Sequence, residues 1–341
     1  MDDVLIIGGS FAGLAAALQL GRAGRKVTVL DTGLPRNRFA PHSHGLLGHD
    51  HKAPLDILAA ARQQLQRYPT IKFVTARADS VSGALDDFSV TTNAGEVLKT
   101  RRLLLSYGVV DQMPAIPGYA ECWGLSIVPC PYCDGFEVAG KHWGLVWSGA
   151  HSQHAVRLFH DWTEHLTMFA DGHDISAEVR ADLIARNVEV VDGKLAEIAH
   201  QDGHLSTVNL DTGRNVAVDV LFAHPPNKPS ANLHEALGLE TVDGPAGIVL
   251  KVDDRRETSV PGIYAAGDLA NPMASVTLAT SNGAMAGIFA QQSMLTYIWR
   301  RNPQPTPSAC GEGQGGGRLA PKSGLSHPQP SLSCRGGGAT R

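Results

Sequence analysis

Val4-Leu5-Ile6-Ile7-Gly8-Gly9-Ser10-Phe11-Ala12-Gly13 is the stretch whose reading decides the fold. Four apolar residues in a row suit a central parallel strand, covered on both faces. A glycine-bearing turn follows, then an Ala-rich helical run to about Leu20. Lys26 to Leu30 gives a second strand that ends at Asp31. Strand, tight turn, helix and a second strand with a terminal acid is the spacing of a dinucleotide site. The turn from Gly8 through Ser10, Phe11 and Ala12 to Gly13 brings the amides of a helix N-terminus against a pyrophosphate. Ser10 stands where the fingerprint has its middle glycine, and its short side chain still lets the backbone approach. Asp31 is placed to accept hydrogen bonds from the adenosine ribose.

The surrounding chain sets limits on this reading. Its 341 residues exceed one ordinary core and suit two. Apolar content of 43% is that of a globular protein. A formal charge of -4 offers no basic field, so no nucleic-acid partner is expected. The run from Val4 to Leu20 is apolar enough to resemble a signal peptide, but Asp2 and Asp3 replace the basic residues such a peptide needs. It is also short for a membrane span, so no membrane partner is expected either. Cytoplasmic location is the expectation. Residues 302–341 are rich in Gly, Pro and Ser and predict a disordered tail, with Cys310 and Cys334 in it.

Cys130-Pro131-Tyr132-Cys133-Asp134-Gly135 carries the chemistry. Two thiols at this spacing close into a disulfide ring and reopen as one two-electron unit. A Cys-x-x-Cys pair lowers the pKa of one thiol, and the thiolate is the reactive form. Five cysteines do not make a disulfide scaffold, and no second Cys-x-x-Cys completes a structural zinc site. His42, His44, His49 and His51 cluster in one loop, but no cysteine or paired acid lies nearby in sequence, so no metal is expected. Cys122 reads as a small buried hydrophobe. Trp143, Trp147, Trp162 and Trp299 read as packing residues.

A third segment, Thr258 to Asp268, predicts a strand over Gly262 to Ala266 ending at Gly267-Asp268, with a helix from near Val276. It resembles the second FAD motif of the pyridine-nucleotide–disulfide oxidoreductases. With the three motifs in this order, residues 1–300 resemble the low-molecular-weight thioredoxin reductases. The resemblance implies an α/β fold of two Rossmann-like three-layer domains, the second inserted in the first. The FAD domain would take 1–113 and 245–300. The insert, a nicotinamide-type domain with the Cys-x-x-Cys, would take 118–243. The crossings fall in turn-rich segments around Pro114 to Gly118 and Asp243 to Pro245. A homodimer is expected by analogy.

Residue by residue, the resemblance implies FAD held by the Gly8 to Gly13 turn, Asp31, Gly267, Asp268 and the helix from Val276. The loop with Arg38 and His44 should lie beside the flavin. Cys133 would face the flavin, Cys130 would exchange with substrate, and Asp134 would handle the proton. Asp134 needs a raised pKa for that work near neutrality.

The nicotinamide end departs from the family. Ser148, Ala150 and Gln153 stand where its fingerprint has glycines or alanine, and Gln153 projects a long side chain toward the phosphate position. Ala170 to Asp174, after the next strand, holds two aspartates and no arginine for a 2′-phosphate. The later Leu221 to Asn227 segment also lacks the family's Gly-bearing turn. The expectation is that NADPH does not bind, with a weak residual NAD(P)H site as the alternative.

This pattern is similar to the gliotoxin- and holomycin-type dithiol oxidases of the same branch. They pass electrons from a small dithiol through FAD to oxygen. Asp134 counts against that branch, which typically has histidine there. The reading is therefore a dithiol oxidase acting on a small molecule or a thioredoxin-like protein. The alternatives are an NAD(P)H-dependent disulfide reductase and a non-catalytic flavin redox sensor.

Overall fold

Val4, Leu5, Ile6 and Ile7 are all buried, so successive side chains on opposite faces need two separate cores. The computed structural model supplies both, and it describes residues 1–301, with side chains through residue 295. The tail expected over 302–341, with Cys310 and Cys334, and the side chain of Trp299 lie outside the described residues.

The chain begins with β1 (Asp2–Ile7), α1 (Phe11–Arg22), β2 (Val27–Asp31), α2 (Pro54–Leu65), β3 (Ile71–Thr75), β4 (Ala78–Ala84), β5 (Asp87–Thr92), β6 (Val97–Leu105) and β7 (Val109–Asp111). It continues with α3 (Tyr119–Cys122), β8 (Ile127–Val128), α4 (Pro131–Asp134), β9 (Trp143–Val146), α5 (Ala150–Phe159), β10 (Leu166–Phe169), α6 (Ala177–Ala185) and β11 (Val188–Val191). Next come β12 (Leu195–Gln201), β13 (His204–Leu210), β14 (Asn215–Ala217), β15 (Val220–Phe222), β16 (Asn227–Pro229) and α7 (Leu233–Ala236). The last elements are β17 (Thr241–Asp243), β18 (Ile248–Leu250), β19 (Ile263–Ala265) and α8 (Val276–Arg301).

One sheet has seven strands in the order β3-β2-β1-β6-β5-β4, with β19 also paired to β6. Strand β6 is long enough to serve two partners along one edge. Its start runs antiparallel to β5, and Leu103 to Leu105 run parallel to β19. Val4 and Ile6 pack with Leu14, Ala17 and Leu20 of α1 and with Ala286 and Met294 of α8. Leu5 and Ile7 pack on the other face with Phe88, Val90, Leu250 and Ile263. Each such side chain contributes about 1.5–3 kcal/mol by leaving water. Helix α8 crosses α1 closely: a Cβ added at Gly283 would lie 2.1 Å from the Ala12 carbonyl oxygen.

The second sheet is entirely parallel, in the order β11-β10-β9-β15-β8. Trp143 is fully buried behind it, with ring centroids 4.4 Å from Phe222 and 5.4 Å from Phe159. Trp162 joins that cluster, and Trp147 packs at its margin. A three-stranded antiparallel sheet, β12-β13-β14, closes over the opposite side. Cys122 is fully buried there beside Tyr119 and Trp123, and burial raises its thiol pKa. It is a packing residue, as its sequence context implied. Strands β7 and β16 pair antiparallel where the chain passes from the first sheet to the second and back. The architecture is the α/β arrangement of Rossmann-like sheets expected from the sequence. Among the described residues no helix is long and apolar enough to cross a membrane.

Candidate active site

The β1–α1 turn is built for close approach. Gly8 has φ 104, and a Cβ there would fall 2.3 Å from the Ser106 carbonyl oxygen. A Cβ at Gly13 would lie 1.9 Å from the Gly8 carbonyl oxygen. Ser10 occupies the N-cap of α1, yet its hydroxyl caps no amide. The first amides of α1, at Phe11, Ala12 and Gly13, are thus free of a side-chain cap and carry the partial positive charge of the helix end. Asp31, at the end of β2, accepts from the Gly9 amide at 3.0 Å and pairs with the Arg62 guanidinium. That carboxylate is held beside the turn, and Arg62 shares it.

The two distant motif halves meet here. Gly267, φ 75, sits so close to α1 that a Cβ there would approach the Ala12 Cβ to 3.1 Å. Asp268 follows in a tight 3-10 turn, Gly267–Leu269, and α8 starts at Val276 with the Ser275 hydroxyl accepting from the Leu278 amide. Arg36 ties this region together. It forks onto Asp111 through Nε at 2.9 Å and Nη2 at 2.5 Å, and its Nη1 reaches Asp268 at 2.9 Å. Burial opposes the Arg36 charge, but its bonds to the two carboxylates outweigh burial and raise its pKa. The sequence reading passed over Arg36 for its neighbour Arg38. Arg38 instead turns back onto its own loop, donating to the Pro35 carbonyl at 2.9 Å and lying over the Phe39 ring.

The dithiol stands at the end of β8. Cys130 is the N-cap of the short helix α4, and its carbonyl accepts from the Cys133 and Asp134 amides at 3.1 Å each. Both thiols are free and partly accessible. The Cys133 thiol donates to Cys130, which lowers the Cys130 pKa to about 6 against the opposing effect of burial. The Tyr132 and Cys133 amides add to that lowering. Cys133 moves the other way, raised by the same hydrogen bond, by burial and by its negative neighbours. Asp134 is pushed up to about 7, first by burial, then by the charges of Cys130 and Glu137. The site thus holds a nucleophilic thiolate, a protonated partner thiol and a carboxyl that titrates near neutrality. Tyr132 and Phe136, which flank Cys133 in the chain, are apolar and 71% and 85% exposed.

His44 approaches the segment just after the dithiol. Its Nδ1 is 3.4 Å from a Glu137 carboxylate oxygen, and the adjacent Gly45 carbonyl accepts from Thr277 on α8 at 2.9 Å. The loop expected beside the flavin therefore spans from the start of α8 to the segment just after the dithiol. Glu137 was missed as a partner because it is remote from the histidines in sequence.

The second strand–turn–helix, β9 to α5, carries hydrogen-bonded side chains of its own. The Ser148 amide donates to the buried Ser152 hydroxyl at 2.8 Å, and the two serine hydroxyls lie 3.1 Å apart. Gln153 reaches across to Asp182 on α6 at 2.8 Å. At the end of β10, Asp171 accepts from the Leu195 amide at 2.9 Å. Arg180, on the following helix, is committed to Asp192 and the Ile175 carbonyl. A groove of about 670 Å³ lies at the N-terminal ends of β10 and β11, lined by His142, His165 and Glu189. Open α/β sheets bind ligands at the opposite, C-terminal ends, where the dithiol stands.

Fold and site together define a nucleotide-binding thiol redox protein. Residues 2–283 match the family described as Pyridine nucleotide-disulphide oxidoreductase, and the chain belongs to that family. It is 34% identical over 308 residues to a protein named thioredoxin reductase tcpT from Claviceps purpurea, covering 87% of this chain and 95% of that one. It is 35% identical over 309 residues to thioredoxin reductase sirT from Leptosphaeria maculans, covering 84% and 92%. A solved oxidoreductase from Agrobacterium tumefaciens superposes with a TM-score of 0.82 at 41% identity, covering 86% of this chain and 99% of that one. The chain is a thioredoxin reductase-like enzyme acting on sulfur groups, and FAD is the cofactor of its family. The residues present fit that group: an uncapped helix end, a turn with no room for side chains, and carboxylates at Asp31 and Asp268.

Proposed function

We propose that this enzyme oxidises a dithiol and uses oxygen, in place of a nicotinamide, as the far electron partner. One observation carries the reading: in the turn after β9, Ser152 is bonded to the Ser148 amide and Gln153, standing where the fingerprint has a small residue, is held by Asp182. Glycines keep the first turn open, while side chains close the second.

The protein groups divide the work as follows. In the disulfide form, a substrate thiolate attacks the Cys130 sulfur and breaks the bond to Cys133. Asp134, whose carboxyl pKa is raised first by burial, gives its proton to the departing Cys133 sulfur. The second substrate thiolate attacks the sulfur bound to Cys130, closing the substrate disulfide and releasing Cys130 as a thiolate. The Cys133 hydrogen bond and the two α4 amides make Cys130 a good leaving group. The β1–α1 turn, Asp31 and Asp268 would hold FAD, which would supply the two-electron route from the resulting dithiol to oxygen, with hydrogen peroxide as the product. Tyr132 and Phe136 suit a compact apolar dithiol, and a thioredoxin-like protein is the other candidate substrate.

The reading includes an FAD lobe of 1–113 with 245–300, a dithiol lobe of 118–243, and a cytoplasmic homodimer. Asp134 supports a second reading, an NAD(P)H-dependent disulfide reductase, because reductases carry an acid at this position. Aerobic turnover separates the two. With a small dithiol such as dithiothreitol and no nicotinamide, the account expects one hydrogen peroxide per disulfide formed. No peroxide in that assay, with NADPH consumed when a disulfide replaces the dithiol, would establish the reductase.

A further inference from the structure

His44, His51 and Glu137 each bring a ligand atom to within 4.8 Å of the other two. The two histidines lie on the loop between β2 and α2, and Glu137 lies just beyond α4. The His44 Nδ1–Glu137 Oε1 separation of 3.4 Å is longer than a charge-assisted hydrogen bond, which runs about 2.7–2.9 Å. It matches the ligand–ligand edge of a tetrahedral zinc site, about 3.3–3.4 Å for bonds of about 2.0–2.1 Å. The loop is arranged to hold this set. His42 stacks on His51 with centroids 4.2 Å apart and planes 12° apart. Asp50 accepts from the Gly45 amide at 2.8 Å, which fixes the turn after His44. The sequence pointed away from a metal because no acid lies near the histidines in the chain; the fold supplies one from the dithiol segment.

The geometry points to a zinc-type divalent cation site formed by His44, His51 and Glu137, with its fourth position open. Two imidazoles and one carboxylate are the donor set of an open three-ligand zinc site. The ion ties the segment after Cys133 to the loop that meets α8 at Thr277. Its fourth position is left for water. The inference does not depend on the direction of electron flow.

The test uses FAD-loaded protein in the oxidised state, so that Cys130 and Cys133 are not free to bind metal. Isothermal titration with Zn²⁺ alone should give one equivalent per chain. Glu137→Gln and His51→Ala should each weaken binding tenfold or more, while Cys130→Ser/Cys133→Ser should bind as the parent does. X-ray absorption at the zinc edge should show only nitrogen and oxygen neighbours. Hydrogen exchange of the parent protein, which needs no variant to fold, should slow at residues 42–52 when zinc is added. Substoichiometric binding, unchanged affinity in Glu137→Gln, sulfur neighbours, or exchange that zinc leaves unaltered would each overturn the site.

Discussion

The chain contains the same strand–turn–helix device twice, and the two copies differ in what fills the turn. Between β1 and α1, Gly8 and Gly13 leave no side chain in the way, and the helix end is uncapped. Between β9 and α5, Ser152 takes up the Ser148 amide and Gln153 is fastened to Asp182. The parallel strands and helix directions are alike. Neither helix start has a side-chain cap; the difference lies in the side chains that stand in the second turn, Ser152 and Gln153, where the first has Ala12 and Gly13.

If the second turn is closed, electrons enter only through the dithiol, and the largest expected effect is at Cys130. Cys130→Ser should lower dithiol turnover about a thousandfold or more while FAD stays bound, measured by oxygen uptake. Retained turnover would mean a second entrance exists. Next is Asp134→Asn, expected to cost about 10²-fold. A proton donor must be protonated, so at fixed substrate-thiolate concentration the parent rate should fall as pH rises through about 7. The variant should lack that limb. The same carboxyl works against stability in its charged form. Its folded pKa is raised from about 3.8 to about 7, so its favourable contribution is complete below the lower value and lost as pH rises through the upper one. Thermal unfolding of Asp134→Asn should therefore depend less on pH across that window.

The first turn is probed by Gly13→Val. Forcing a side chain into the Gly8 carbonyl should cost about 1–3 kcal/mol at the cradle, and FAD affinity should fall about 10–100-fold by fluorescence titration. Arg36→Ala should cost about 1–3 kcal/mol of stability by denaturant titration, since Asp111 and Asp268 both lose a charged donor. The smallest effect belongs to the second turn. Ser152→Ala with Gln153→Gly frees the Ser148 amide, yet NADPH-driven reduction should rise less than about tenfold, because Ala170 to Asp174 offers no arginine to a 2′-phosphate. A larger rise would show that these two side chains set the barrier to NADPH.

The sequence carried the fold where the signal was local. The run from Val4 to Gly13, the Asp31 strand end and the helix start at Val276 each declare themselves within a few residues, because strand and helix periodicity and turn chemistry are short-range. The Cys130–Cys133 pair was legible for the same reason. What could not be read were pairings made by the fold. Arg36 meets Asp268 across most of the chain, Arg62 takes a share of Asp31, and Glu137 reaches His44 from the far side of β8. No periodicity or spacing encodes those meetings. The altered nicotinamide turn lies between the cases. Ser148 and Gln153 were visible as departures, but only the structure shows Ser152 occupying the amide.

The central claim is that the dithiol, and not a nicotinamide, delivers electrons to the flavin. The direct measurement is anaerobic: the oxidised, FAD-loaded protein is mixed with excess dithiothreitol, NADPH or NADH, and the visible flavin absorbance is followed by stopped flow. The account predicts rapid bleaching with the dithiol, recovery on admitting air, and no bleaching with either nicotinamide on the timescale of turnover. Rapid bleaching by NADPH or NADH would contradict it.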